Sequence, residues 1–177
     1  MMKAEFQRQA RRLSYIALGS NLGDSHQIIF QAIERLEQYS RKPILKSSLW
    51  QTSPVDCPPG SPKFVNAVIS LFPRKDETPE SLLAKLQALE KEFGRAPKSI
   101  LNEPRPLDLD LIAFGTETRN SPSLILPHPR AHERRFVLQP LNEIAPDLIL
   151  SDPKKTVAQL LADLNDSESC ENISSAG

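Results

Sequence analysis

No stretch of this chain approaches the roughly 18 consecutive apolar residues of a membrane-spanning helix, so no span is expected. Nor is there an excess of charge of either sign. The 22 basic residues balance 22 acidic ones, which removes any global electrostatic argument for nucleic acid or an anionic membrane as partner; an anion site has to be local. Cysteine is scarce: Cys57 falls in a proline-rich loop and Cys170 in a polar tail. That is neither a disulfide framework nor a metal cluster, and it suits a reducing compartment. Residues 1–12 are charged and carry no apolar segment, so no secretory signal is expected and a cytoplasmic location is. Several catalytic signatures are missing too. Gly19-x-Asn21-x-Gly23 matches neither the phosphate-binding P-loop nor the dinucleotide fingerprint, and reads as a tight strand-to-helix turn rather than a ligand contact. There is no nucleophile elbow and no paired-histidine zinc motif, and no activating partner for Cys57 is visible.

The chain does contain Pro104-Arg105-Pro106-Leu107-Asp108-Leu109-Asp110-Leu111-Ile112-Ala113-Phe114, two carboxylates two residues apart in an otherwise apolar strand-like run. Successive strand residues face opposite sides, so Asp108 and Asp110 share one face, with Cα atoms roughly 7 Å apart, and Leu107, Leu109 and Leu111 share the other. Partly desolvated like charges at that distance raise each other's pKa unless a cation compensates. Two readings stand: a carboxylate pair holding one or two Mg²⁺ with phosphate oxygens, or acids that cap a turn or pair with nearby arginines. Arg105 just upstream favours the first, because a polyphosphate site needs cations beside its metal.

Around this run the pattern of elements is β-α-β-β-α-β. A strand over 14–18, stopped by Gly19, leads to a helix capped by Asp24 or Ser25, with Ile28, Ile29, Ala32, Ile33 and Leu36 in its stripe. A second strand covers 44–50, and a stiff loop with four prolines fills 51–63. Residues 64–72 alternate strictly: Val65, Ala67, Ile69 and Leu71 against Phe64, Asn66, Val68 and Ser70. Thr78 caps and Pro79 opens the next helix, striped by Leu82, Leu86, Leu89 and Phe93 and ended by Gly94. Short helices are expected over 131–141 and 156–164. The expected fold is α+β: a ferredoxin-like βαββαβ core, a mainly antiparallel sheet with helices packed on it and C-terminal additions. One domain over 14–164 is expected, with a loose, flexible arm at 1–13 and a disordered tail over 165–177.

If the aliphatic strand faces pack under the helices, Phe64, Asn66, Asp108 and Asp110 fall together on the open face. A ring beside an amide suits a flat, hydrogen-bonding heterocycle; against that, Phe64 also reads as an ordinary core aromatic, and Asn66 as a bulge or turn residue, though a mid-strand Asn is disfavoured. Basic residues gather nearby in sequence: Arg95, Lys98 and Arg105 before the acidic pair, then His128, Arg130, His132, Arg134 and Arg135 after it. Arg forks match phosphate geometry. His128, between two prolines, binds phosphate or caps a turn.

With Leu18-Gly19-Ser20-Asn21-Leu22-Gly23, Phe64-Val65-Asn66, Pro104-Arg105-x-x-Asp108-x-Asp110 and Pro127-His128-Pro129-Arg130 in this order, the chain closely resembles the 6-hydroxymethyl-7,8-dihydropterin pyrophosphokinases of folate biosynthesis. The resemblance runs from about residue 15 to 164. It implies an enzyme that moves the β,γ-diphosphate of ATP onto the pterin hydroxymethyl group, leaving AMP, with two Mg²⁺ held by Asp108 and Asp110. It further implies that Asn66 hydrogen-bonds the pterin between Phe64 and Phe136, with backbone near Thr52 and Val55 on the ring edge. Gln87, Glu90, Arg95, Arg105, Leu111, His128 and Arg134 would line the ATP side, Arg95 and Arg105 acting directly in the transfer. Asn102 stands where many members carry Trp, and Pro97 where some carry a basic residue, so loop 95–106 is expected to close differently; Phe64 replaces a frequent Tyr and should still stack. Two other readings are a metal-dependent nucleotidyltransferase, disfavoured because about 90 residues separate its Gly-Ser turn from the acidic pair, and a ligand-sensing module, which leaves the juxtaposed carboxylates without a purpose. A monomer without nucleic-acid or membrane partners is expected.

Overall fold

A computed structural model describes residues 1–10, 12–54, 57–95, 103–151, 154–164 and 170–174. The elements are α1 (Met2–Ala10), β1 (Ser14–Ser20), α2 (Ser25–Glu37), β2 (Leu45–Lys46), β3 (Trp50–Thr52), β4 (Phe64–Leu71), α3 (Pro79–Glu92), β5 (Asp108–Phe114), β6 (Arg119–Asn120), β7 (Ile125–Leu126), a 3₁₀ turn (Ala131–Glu133), α4 (Arg135–Ile144), β8 (Ile149–Ser151), β9 (Lys155–Thr156), α5 (Val157–Asp163) and β10 (Cys170–Asn172). The main sheet runs β10-β3-β4-β1-β5, with β2 also on β4, and all its pairs are antiparallel. Without β10 this is the expected ferredoxin-like order, since β3-β4-β1-β5 places the first strand between the third and the fourth.

Alternation dictates the two faces. Val65, Ala67, Ile69 and Leu71 of β4, with Ile16 and Leu18 of β1 and Leu109 and Leu111 of β5, pack under Ile29, Ile33 and Leu36 of α2 and Leu82, Leu86 and Leu89 of α3. Each such side chain contributes about 1.5–3 kcal/mol by leaving water. Both helices are anchored by their caps: Asp24 accepts the Gln27 N–H at 3.2 Å, and Thr78 and Ser81 close a reciprocal capping box with Pro79 in the first turn.

The opposite face is only half open. Tyr15, Ala17, Val68 and Ile112 bury against Val137, Leu138 and Leu141 of α4 and Val157 and Leu160 of α5, forming a second core. The end of the sheet bearing Phe64, Asn66, Asp108 and Asp110 borders a cavity instead.

Several local expectations change. β1 continues through Gly19 to Ser20, so Gly19 is a strand residue and not the strand's stop. The second strand divides into β2 and β3, because Ser47 turns inward: its N–H donates to Val68 O and its Oγ accepts the Val68 N–H, both at 2.9 Å. Where a loose arm was expected, residues 2–10 are helical, built from good helix formers. Behind that helix Arg12 donates to Lys75 O at 2.9 Å and stacks 5.7 Å from the Phe114 ring centre. The expectation of a wholly disordered tail also fails, since 170–172 add a strand to the sheet edge; backbone pairing there needs no apolar pattern. The remaining stretches of the tail, 165–169 and 175–177, lie outside the described residues.

Candidate active site

The site is assembled by strand register. Gly19 of β1 lies opposite Asn66 of β4 on one side and Asp108 of β5 on the other, and Ala17 lies opposite Asp110. A central strand with almost no side chain on this face leaves a trough between an amide and two carboxylates. A Cβ on Gly19 would come within 3.1 Å of Asn66 Oδ1 and 3.6 Å of Phe64 Cδ1. The trough opens into a cavity of about 420 Å³ lined by Thr52, Phe64, Asn66, Arg105, Asp108, Asp110, Arg134 and Phe136 among others. Such a volume is that of a small-molecule site.

At one end, Asn66 is buried and its Nδ2 donates to Thr52 Oγ1 at 2.6 Å. That bond fixes the amide plane, leaving Oδ1 facing the trough beside the Phe64 ring. Phe136, at the start of α4, lines the same cavity, and the Arg134 guanidinium stacks 5.5 Å from its centre. Val55, expected on the ring edge, lies outside the described residues.

At the other end, Asp108 meets Arg95 Nη1 at 2.6 Å and Arg105 Nη1 at 3.6 Å. Arg95 is aimed by the end of α3. Gly94, at φ +94°, takes the left-handed conformation, its N–H donating to Lys91 O at 3.0 Å and the Arg95 N–H to Glu90 O at 3.1 Å. This is a Schellman termination, and it brings Arg95 back over its own helix. There Arg95 Nη1 also meets Glu90 Oε2 at 2.5 Å, while the same oxygen accepts the Leu109 N–H at 2.9 Å. Glu90 thus ties helix, arginine and Asp-bearing strand together; burial raises its pKa, with the Leu109 N–H and Arg95 working the other way.

Arg105 joins the two ends, its guanidinium lying 5.8 Å from the Phe64 ring centre as well as near Asp108. Asn21 holds it there. Buried Asn21 accepts the Arg105 N–H on Oδ1 at 2.8 Å, donates its own N–H to Arg105 O at 3.1 Å, and donates Nδ2 to Pro62 O at 3.4 Å. One side chain thereby pins the loops on either side of the cavity. Nothing in the local sequence distinguishes it from a turn asparagine.

Asp110 is the more strained carboxylate. Burial, and then the neighbouring Asp108 charge, raise its pKa to about 7, against partial relief from Arg134. Burial lowers His128 to about 4, so the imidazole is neutral at pH 7. The ring Nδ1 accepts the Arg130 backbone N–H at 3.2 Å, and the His128 backbone N–H donates to Ile112 O at 2.9 Å. The turn role therefore holds for His128, and any phosphate contact it makes is that of a neutral ring.

Not every expected residue reaches the cavity. Leu111 is buried in the α2–α3 core, its side chain on the face away from the carboxylates. The alternation that puts the Asp110 side chain in the trough takes that of Leu111 out of it, which leaves its backbone for any contact on the ATP side. Gln87 is exposed on α3 and does not line the cavity. Neither do His132 and Arg135, and Glu90, Arg95 and His128 stand behind its lining rather than in it, whereas Lys98, Pro97 and Asn102 lie outside the described residues. Arg130 of the basic cluster does line it, and so do Ser53, Cys57 and Glu133, which the sequence did not single out as contacts.

Asp108 and Asp110 suit Mg²⁺. They are hard oxygen donors, and Mg²⁺ typically takes one or two carboxylates, completing its shell with water and phosphate. Among the described residues no cluster of three or more His, Cys, Asp or Glu side chains forms a cage, and Mg²⁺ bound in that way needs none. The pKa of Asp110 is raised first by burial and then by the Asp108 charge, so a cation bound between the two carboxylates would relieve it.

Fold and site together define a class: a ferredoxin-like α+β protein whose cavity joins a slot lined by Phe64, Asn66 and Phe136 to a cluster of Asp108, Asp110 and arginines. The comparisons with known proteins narrow it. Residues 15–146 match the model of the 7,8-dihydro-6-hydroxymethylpterin-pyrophosphokinase family. A 2-amino-4-hydroxy-6-hydroxymethyldihydropteridine pyrophosphokinase of Porphyromonas gingivalis is 37% identical over 135 residues, 75% of this chain and 90% of that protein. The enzyme of the same name from Pseudomonas aeruginosa is 38% identical over 149 residues, covering 84% and 89%. The folic acid synthesis protein fol1 of Pneumocystis carinii is 44% identical over 135 residues, but this chain spans only 18% of it. Among solved structures, an HPPK-DHPS in complex with substrates superposes with a TM-score of 0.66 at 13% identity, over 86% of this chain and 42% of that one. A Plasmodium falciparum HPPK-DHPS triple mutant with pteroate gives 0.64 over 85% and 43%; at such identities these two establish the fold alone. The chain belongs to the 7,8-dihydro-6-hydroxymethylpterin-pyrophosphokinase family. No helix among the described residues is long and apolar enough to cross a membrane.

Proposed function

We propose that this chain transfers diphosphate from ATP to the hydroxymethyl group of 6-hydroxymethyl-7,8-dihydropterin, releasing AMP. The observation that carries the reading is the continuity of one cavity from the Phe64–Asn66–Thr52 slot to the Asp108–Asp110 pair, bridged by Arg105. The pterin ring fits between Phe64 and Phe136, with the Asn66 amide, held by Thr52, reading its edge. Its hydroxymethyl arm then extends over Gly19 towards the carboxylates, where the register places Asp108.

The transfer forms a bond between the hydroxymethyl oxygen and the β-phosphorus and breaks the bond from that phosphorus to the oxygen bridging to the α-phosphorus. AMP leaves with that oxygen, and the hydroxyl proton passes to solvent or a neighbouring base. Phosphoryl-type transfer asks a protein chiefly for alignment and charge neutralisation. Arg95, Arg105 and Arg134 supply cations around the phosphates. The arginine forks now on Asp108 and Phe136 would turn to phosphate when the nucleotide binds. Mg²⁺ bound by Asp108 and Asp110 would neutralise triphosphate charge. Glu90 acts by holding Arg95, and the neutral His128 ring flanks the nucleotide side.

The test is AMP release, followed by chromatography, from purified protein given ATP, Mg²⁺ and the pterin alcohol. AMP should appear only with all three present, and Asp108→Ala should abolish it with the melting temperature retained. No AMP from the unaltered chain, or full turnover in Asp108→Ala, overturns the proposal.

A further inference from the structure

β10 lies beyond the segment that matches the family, yet it finishes the sheet beside the heterocycle slot. Cys170, Glu171 and Asn172 pair antiparallel with Thr52, Gln51 and Trp50. Past them the Ile173 N–H donates to Leu49 O at 2.9 Å, Ser174 Oγ accepts the Leu49 N–H at 2.6 Å, and the Ser174 N–H donates to Asn172 Oδ1 at 3.0 Å. The Ile173 side chain packs against the main core. The tail is thus fastened along the full length of β3 and at one apolar anchor.

β3 is only three residues long. Its other edge pairs with β4, where Trp50 faces Asn66 and Thr52 faces Phe64. A strand that short, bonded on one edge alone, frays readily, because few ladder bonds oppose its backbone entropy. Thr52 is the residue where fraying matters most. It is the last residue before the loop at 53–63, and its buried Oγ1 receives the Asn66 amide at 2.6 Å.

Resting on the function proposed above, we infer that β10 is a positioning strand for the pterin half of the site. By pairing the outer edge of β3 it fixes Thr52, and through Thr52 the direction in which Asn66 presents its amide, without touching substrate itself. The acid–arginine end is built from the end of α3, the segment at Arg105, β5 and Arg134 before α4, and none of these pairs with β10, whose only strand partner among the described residues is β3. Removing β10 should therefore weaken one substrate and spare the other. The strand itself does not need β10 to exist, since Trp50 Nε1 donates to Glu143 Oε1 at 2.5 Å and Ser48 Oγ to Glu143 Oε2 at 2.8 Å, tying the β3 side of the sheet to α4.

Two variants test this: a chain ending at Leu164, and full-length Ile173→Pro, which deletes the N–H donated to Leu49 O. Dissociation constants are measured by fluorescence titration of the pterin alcohol with a non-hydrolysable ATP analogue and Mg²⁺ present, and of a fluorescent ATP analogue with Mg²⁺ alone. The pterin constant should rise about tenfold in both variants, the scale of one or two lost net hydrogen bonds, while the nucleotide constant stays within about twofold. If the shortened chain does not fold, Ile173→Pro and Ser174→Ala carry the same comparison. Unchanged pterin affinity, or equal weakening of both ligands, overturns the inference. A full-length chain that binds no pterin overturns the proposed function instead, so the two failures are distinguishable.

Discussion

Replacing Asp110 by Asn should stabilise the ligand-free protein at pH 8 while destroying its activity. Asp110 is destabilised by burial and by the Asp108 charge, which together lift its pKa from 3.8 to about 7. A native pKa above the unfolded one means the native state keeps a proton the unfolded chain has lost. Between about pH 4 and pH 7 stability therefore falls as pH rises, and the full cost is present above about pH 7. At about 1.4 kcal/mol per tenfold change in proton affinity the gap caps the cost at about 4 kcal/mol; water entering through the cavity reduces it, and about 1–3 kcal/mol is the expected gain on removing the charge. For a chain of this size that is a rise in Tm of roughly 3–10 °C. The assay is thermal unfolding of both proteins in EDTA from pH 4 to pH 8. The gain should shrink steadily with falling pH and be nearly gone at pH 4, where Asp110 is protonated in the native state and close to its unfolded pKa of 3.8 in the unfolded chain. Equal Tm at pH 8, or a gain that persists undiminished to pH 4, would refute the electrostatic reasoning.

Asn66→Ala should raise the pterin KM at least tenfold and leave the ATP KM within about twofold, the loss expected when a buried hydrogen-bonding partner is removed; equal changes in both constants would undo the assignment of the slot. Gly19→Ala places a Cβ 3.1 Å from Asn66 Oδ1, so pterin affinity should fall several-fold with little change in Tm, and unaltered affinity would show that the trough does not hold the substrate. Asn21→Ala strips the Arg105 N–H of its partner, for a loss of about 1–3 kcal/mol in stability and a clear drop in kcat; kinetics identical to the parent chain would mean that Arg105 needs no anchoring.

The parts of this architecture legible in sequence are those with a local pattern. The alternation of 64–71 assigns both faces of β4 correctly, and the cap at Thr78 marks the start of α3. The same alternation puts Asp108 and Asp110 together and takes Leu111 away from them. What escaped depends on pairing between distant segments. Gly19 reads as a turn residue until β1 is known to lie between β4 and β5, when its lack of a side chain becomes the floor of the trough. The half-covered second face required knowing that α4 and α5 fold back over Val68 and Ile112. β10 could not be foreseen from its Ser/Glu/Asn composition, because an edge strand held by backbone bonds and one isoleucine leaves no periodic signal.

The most direct measurement of the central claim follows the label from ATP carrying ³²P at the β position. The label should move with the γ-phosphate onto the pterin, and the AMP released should be unlabelled. Labelled ADP, formed with transfer of the γ-phosphate alone, would contradict it.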